Sequence, residues 1–296
     1  MGQFDGFAGI AIAGATASGK SALALRLAQK LGGIVINADS MQVYEDLKAL
    51  TARPTGADEA AAPHALFGHV DGAAIFSAGD WVKQAMATIK ETKHLPILVG
   101  GTGLYFRSLF TGLASLPAIP LDIRTAWRKK TLSTSELHAE LAKCDPDMAA
   151  RLMVNDRQRI LRALEVFSAT GRSLGIFQKE STKPLLDPTK WRRIVLACDR
   201  ASLVQRIEKR FGFMLAAGAL EEAKALLSRR LDPNMPVMKA IGVRELSAHL
   251  NGTLSLEEAG AQAVLATQRY AKRQETWFNG QMADWERLDA KEANVL

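Results

Sequence analysis

The sequence predicts an α/β fold: a parallel sheet carrying a phosphate-binding loop, interrupted by a helical insertion and completed by a helical C-terminal part. Three observations predict it. The apolar runs GIAIAG, IVINADS and PILVGG alternate with the helical stretches SALALRLAQKL and AGDWVKQAMATIKE over residues 1–112, which is the pattern of βαβ units. The first of these strands leads directly into GATASGKS, residues 14–21, and from there into a helix. From about Leu113 the alternation stops, and the Pro-containing connection LASLPAIPLD opens a run of helical sequence.

These changes divide the chain into 1–112, the first part of the core; 113–190, a helical insertion; and 191–296, which completes the core and ends in helices. Within the insertion, STSE at 133–136 has the form of a helix-capping box. A further strand, RRIVLACD ending at Asp199, returns the chain to the sheet before mainly helical sequence runs to about Gln281.

A chain of 296 residues, 48% of them hydrophobic, can bury a sizeable core in one large or two modest domains. Its two cysteines, Cys144 and Cys198, lack metal-ligand spacing and are expected to be reduced. The N-terminus has no secretory pattern, and no apolar run approaches the roughly 18 residues of a membrane span. A cytoplasmic protein without a membrane partner is therefore expected. The net charge of +7 is unevenly placed: residues 1–112 carry 9 basic and 9 acidic side chains, 113–190 carry 13 and 9, and 191–296 carry 16 and 13. A polyanionic partner on the later segments explains the excess, as do mildly basic solvated helix faces.

In an open parallel sheet, sites gather at the carboxyl ends of the strands. The first such end, Gly14, Ala15, Thr16, Ala17, Ser18, Gly19, Lys20 and Ser21, matches GxxxxGK[ST]. Its glycines let backbone amides close around phosphate oxygens at a helix N-terminus, Lys20 adds a point charge, and the Ser21 hydroxyl is placed to ligate Mg²⁺. These groups recognise phosphate and not what it is attached to, so a small-molecule kinase is a reading they support. At the second end, Asp39 either holds Mg²⁺ through water, accepts a proton from a nucleophile, or caps a turn. At the third, Gly100, Gly101 and Gly103 surround Thr102, as a ligand-approach loop or a simple tight turn requires.

Further along, helical spacing in NDRQRILRALEVF puts Ile160, Leu164 and Phe167 on one face, with Gln158, Arg159 and Arg162 on the other. That is also the pattern of an ordinary amphipathic helix. YAKRQETWF sets Lys272 and Arg273 among Tyr270, Trp277 and Phe278, a mixture suited to phosphates and unpaired bases or to core packing beside a solvated edge. The five histidines form no zinc-ligand pattern.

Taken in order, the three strand ends resemble those of the tRNA dimethylallyltransferases, a family with a P-loop kinase-like core. The resemblance extends to DPDMAARLMVNDRQRILRALEVFSATG (145–171), VMKAIGVRELSAHLNG (237–252) and TQRYAKRQETWF (267–278). The chain departs from the family's usual GPTA at Ala15, from its TR.YAKRQ at Gln268 and Arg269, and in part from its RGLDIGTAKPT after Tyr44.

The resemblance implies Mg²⁺-assisted transfer of a dimethylallyl group from dimethylallyl diphosphate to the exocyclic amine of the adenine 3′-adjacent to the anticodon. It implies Asp39 as general base, Thr102 as its catalytic companion, residues 14–21 as the diphosphate site with Ser21 on the metal, and a monomer acting on the tRNA anticodon arm. It implies tRNA contacts at Asp39, Ser40, Met41, Gln42, Thr102, Arg124, Gln158, Arg159, Ile160, Leu161, Arg162, Arg244, Lys272 and Arg273. A P-loop kinase for a small metabolite is the alternative, and a nucleotide-dependent RNA-binding module without transfer chemistry is a third reading.

Overall fold

The central strands are apolar at almost every position because helices cover both faces of the sheet. In this computed structural model, which describes residues 6–112, 116, 118–180 and 183–295, the sheet has six strands. They are β1 (Gly9–Gly14), β2 (Gly33–Asn37), β3 (His64–Ala65), β4 (Leu95–Gly100), β5 (Trp191–Ala197) and β6 (Glu286–Asp289). Their order is β3-β2-β4-β1-β5-β6, and every adjacent pair is parallel. The sequence reading missed β3, which has only two residues, and β6, whose ERLD lacks an apolar run. β6 pairs with β5 at the sheet edge, where the buried Arg192 guanidinium grips Glu286 at 2.8 and 3.0 Å.

Alternation along each strand sorts side chains to opposite faces. Ile10, Ile12, Val35, Ile97, Val99, Ile194 and Leu196 pack with Leu23 and Leu27 of α1 (Lys20–Leu31). Ala11, Ala13, Ile36, Leu98 and Val195 join the second core. That core receives Trp81 from α3 (Ala78–Glu91) and Tyr105 and Phe106 from α4 (Gly103–Phe110), which follow the short α2 (Gly56–Ala61). Trp81 stacks on Tyr105 with ring centroids 4.2 Å apart, and its indole N–H donates to Asn37 O at 2.8 Å. The end of β2 is thereby fixed to a buried aromatic pair.

The chain divides into two compact units. One is Met1–Phe110 with Pro184–Leu296, and the other is Thr111–Lys183. Residues 184–190, grouped with the insertion by sequence, belong to the sheet unit because Leu185 and Leu186 both donate their N–H to Leu109 O, at 2.8 and 3.0 Å. The opening of the Pro-containing connection, at 113–115 and 117, lies outside the described residues, as do residues 1–5 of the N-terminal reading.

The second unit is helical: α5 (Leu121–Lys129), α6 (Thr134–Cys144), α7 (Pro146–Arg151), α8 (Arg157–Thr170) and α9 (Leu174–Lys179). Ser133 and Glu136 of STSE form a reciprocal capping box on α6. Leu137, Leu141, Met148, Ile160, Leu164 and Phe177 form its core. The sheet unit resumes with β5 and continues through α10 (Arg200–Ala216), α11 (Ala219–Ser228), α12 (Val243–Leu250) and α13 (Leu256–Gln281) before β6. Among the described residues no helix is long and apolar enough to cross a membrane. Cys144 and Cys198 are free thiols.

Where β4 ends, a Cβ on Gly100 would stand 2.0 Å from Ala38 O and 2.1 Å from its carbonyl carbon. Backbone cannot yield as a side chain does, so overpacking here is severe. Gly100→Ala is expected to destabilise the protein by about 3 kcal/mol in urea unfolding. Gly212→Ala, on α10 where an added Cβ meets nothing within 4 Å, is the control and is expected to stabilise by about 0.5–1 kcal/mol.

Candidate active site

Parallel register brings the carboxyl ends of β1, β2 and β4 side by side, with Ala13 opposite Gly100 and Asn37 opposite Val99. Leaving β1, the chain turns through Ala15–Gly19 into α1. Gly19 takes φ 97° and Ala17 φ 62°, left-handed values that cost a non-glycine residue about 1 kcal/mol or more. A Cβ on Gly14 would lie 2.7 Å from Ser18 Oγ, so the tight loop needs glycine there. No side chain caps the first turn of α1, which leaves its amides aimed at an incoming anion. Ser18 Oγ is buried without a hydrogen-bond partner, as expected of a group lining a ligand site.

Positive charge converges on this loop. Lys20 is buried and donates from Nζ to Ala15 O at 3.2 Å. Burial pushes its ammonium from an ordinary 10.5 down to about 8, against the attraction of Asp39 and with help from the repulsion of Arg210. From α10, Arg206 donates to Ser18 O at 3.1 Å, and Arg210 donates to Thr16 Oγ1 at 3.2 Å and Thr51 O at 3.3 Å. Burial lowers the Arg210 guanidinium, while Asp39 opposes that shift. Sequence reading missed both arginines, because a pair four residues apart on a helix is indistinguishable from a solvated face.

The second and third strand ends interlock. Asp39 N–H donates to Asn37 Oδ1 at 2.8 Å, and Asp39 Oδ1 accepts Met41 N–H at 2.9 Å. Asp39 Oδ2 is 3.2 Å from where a Gly101 Cβ would stand. Thr102 N–H donates to Ala38 O at 3.2 Å, and its Oγ1 accepts Ser40 N–H at 2.9 Å and donates to Ser40 Oγ at 3.2 Å. Gln42 donates to Thr51 O and Ala52 O at 2.9 and 3.0 Å. The carboxylate of Glu222 on α11 accepts the N–H groups of Lys48, Ala49 and Leu50. It thus pins the turn that presents Thr51 O to Arg210 and Gln42.

Between the loop and the Thr102 turn lies Gln274 of α13, a residue that sequence reading quoted within YAKRQ but gave no role. Its Oε1 accepts Thr16 N–H and its Nε2 donates to Gly101 O, both at 2.9 Å. Gly103 faces the Trp277 ring, which a Cβ would meet at 2.2 Å. The three glycines therefore admit a backbone, an amide and an indole. Trp277 and Phe278 serve packing, whereas Lys272, Arg273 and Arg244 are exposed.

The other residues expected to contact tRNA lie in the helical unit. There Gln158 and Arg159 are exposed, while Leu161 and Arg162 are half-buried. Ile160 is wholly buried and so supports this surface without forming part of it. Arg162 and Arg128 both pair with the buried Glu165, at 3.5 and 3.0 Å. Arg124 is half-buried on α5, its Nε without a partner. Among the described residues one acidic group has metal-ligand spacing, Glu45 with Asp46 and Asp71. Arg229 already pairs with Asp46 and Asp71.

A family model described as IPP transferase matches residues 42–281, and one described as isopentenyl transferase matches 9–62. A tRNA dimethylallyltransferase of Methylocella silvestris is 52% identical over 295 residues, covering 98% of this chain and 97% of its own. One of Nitrobacter hamburgensis is 52% identical over 301 residues, with 99% and 95% covered. Among solved structures, the full-length tRNA isopentenylpyrophosphate transferase of Bacillus halodurans matches with TM-score 0.67 and 34% identity over 95% of this chain and 89% of that one. A eukaryotic dimethylallyltransferase acting on tRNA matches with TM-score 0.81 and 30% identity, covering 95% and 73%.

The position of Lys20 sets a pH dependence. With its folded value lowered to about 8, the ligand-free protein gains stability as pH rises from about 8 toward 10.5, where only the unfolded chain still holds this proton. An anion in the loop prefers the ammonium, so its affinity loses the Lys20 contribution above about pH 8. Calorimetric titration with Mg²⁺-pyrophosphate is expected to show affinity falling by up to about tenfold per pH unit there. Proton uptake should accompany binding near pH 8, and Lys20→Met should abolish both effects.

Proposed function

The chain belongs to the IPP transferase family, and from that premise we propose that it transfers a dimethylallyl group from dimethylallyl diphosphate to the exocyclic amine of the adenine 3′-adjacent to the anticodon in tRNA, releasing diphosphate. The observation that carries this reading is the convergence, in one unit, of a cation-lined phosphate loop with a carboxylate and a hydroxyl at the neighbouring strand ends. A small-molecule kinase needs the loop but leaves the family membership unexplained.

In the transfer, the bond between the allylic carbon and the diphosphate oxygen breaks, and its electron pair leaves with the diphosphate. Negative charge therefore grows at the loop, where Lys20, Arg206, Arg210 and the first-turn amides of α1 stabilise it. These groups are already oriented by protein hydrogen bonds, so little reorganisation accompanies the reaction. The adenine nitrogen forms the new bond to carbon and loses a proton, which we assign to the Asp39 carboxylate. Thr102 sits against Ser40 on the next strand end, placed to hydrogen-bond at the reacting centre.

The donors in this region are hard oxygens suited to Mg²⁺, and the partnerless Ser18 hydroxyl marks the loop as built around a polar ligand. Ser21, exposed at the start of α1, would hold the ion, which when bound neutralises charge on the diphosphate. The adenine must leave its stack at a cost of a few kcal/mol. The exposed Gln158, Arg159, Arg244, Lys272 and Arg273 supply phosphate and base contacts that offset this cost. One chain carries all of these groups, and we propose that it acts as a monomer.

Incubating the protein with Mg²⁺, unmodified tRNA and labelled dimethylallyl diphosphate should place label in the tRNA. ATP turnover with a small alcohol in its stead would favour the kinase. Asp39→Ala is expected to slow single-turnover transfer by roughly 10²–10⁴-fold while tRNA affinity changes little. Equal losses in rate and affinity would assign Asp39 to binding.

A further inference from the structure

We propose that Gln274 is a positioning residue that locks the diphosphate loop to the Thr102 turn, so that the leaving group and the acceptor-side residues are held as one rigid body. This rests on the functional reading above. Lys272 and Arg273 beside it are exposed, whereas Gln274 is 5% exposed, so its place is inside the protein and not on an RNA surface. Both of its side-chain polar atoms are used, one on Thr16 N–H and one on Gly101 O.

The bond partners make this more than a filled core position. Thr16 lies within the phosphate loop, and Arg210 fixes its hydroxyl as Gln274 fixes its amide. Gly101 immediately precedes Thr102, and a Cβ at Gly101 would lie 2.2 Å from Gln274 Nε2 and 3.2 Å from Asp39 Oδ2. The amide therefore ends beside the carboxylate assigned as base. One helical turn earlier on α13, Tyr270 lies close enough to Asp39, Gln274 and Thr102 for all three to act on its phenol. A single face of α13 thus holds both sides of the reacting centre. If the loop and the Thr102 turn drifted apart by even an ångström, the allylic carbon and the acceptor nitrogen would lose their alignment.

The residue type is restricted by the same geometry. The bridge needs an acceptor and a donor at the end of one uncharged side chain, which glutamine supplies. A protonated glutamic acid reproduces it, with C=O facing Thr16 N–H and O–H facing Gly101 O. An ionised one still accepts from Thr16 but cannot donate to Gly101, and it sets negative charge beside Asp39 and the diphosphate.

Gln274→Glu therefore provides the test. Its single-turnover transfer rate, divided by that of the wild type at each pH, is expected to rise by roughly tenfold or more as pH falls from about 8 to about 5. The division removes the pH dependence that is common to both proteins. The same variant should bind tRNA within about twofold of wild type. At pH 8 its loss should not multiply with that of Thr102→Val, because Gln274 acts through the Thr102 turn. A pH-independent ratio, multiplicative losses, or a tRNA affinity that falls with the rate would each overturn the proposal. Pyrophosphate affinity, read by calorimetry over the same pH range, is expected to show the same rising ratio. It tests Gln274 even if no dimethylallyl transfer is found, which would instead defeat the functional reading.

Discussion

The approach of Gly100 to the Ala38 carbonyl is the contact on which the site depends. Parallel pairing alone brings β2 and β4 to one edge, but strands of this kind commonly diverge as they leave the sheet because each twists. Here the two chains stay in backbone contact beyond their last paired residues, with Ala38 N–H on Val99 O and Thr102 N–H on Ala38 O at 2.7 and 3.2 Å. A side chain at position 100 would occupy the space that the Ala38 backbone fills. Asp39 and Thr102 are neighbours because a methyl group is missing one residue before Gly101.

That closeness has an electrostatic counterpart. Lys20 is buried and Arg210 half-buried close to it, and desolvation disfavours the charged form of both. Asp39 is the countercharge acting on both, and its attraction is what partly restores them. An anion bound here would offset the cost of burying these charges. The cations are also anchored through uncharged oxygens, Ala15 O, Thr16 Oγ1 and Thr51 O. Anchoring by neutral acceptors fixes position without neutralising charge, so positive potential stays available to a bound anion.

How much of this could be read beforehand follows from the range of the interactions. GATASGKS, Asp39 and Thr102 were legible because each sits within a few residues of a strand end, where local pattern and sheet topology agree. The STSE cap was legible for the same reason. Arg206, Arg210, Glu222 and Gln274 were not, since their partners lie far away in sequence and their own helices present them as ordinary polar positions. β6 escaped because its ERLD is an edge segment with one buried residue, Leu288, and gains its place from the Arg192–Glu286 pair. Ile160 was legible by helical periodicity, which set it with Leu164 on the inward face where it is wholly buried; only the resemblance counted it among the contacts.

The glycines of GGTG make room for groups of the protein itself. Gly100 yields to backbone, Gly101 to the Gln274 amide and Gly103 to the Trp277 ring. The two outer contacts hold Thr102 in place, and the middle one joins it to the phosphate loop. The segment is therefore a close-approach site for the chain after β2 at Gly100 and for α13 at Gly101 and Gly103. Its contribution is rigidity, which keeps the groups on either side of it aligned.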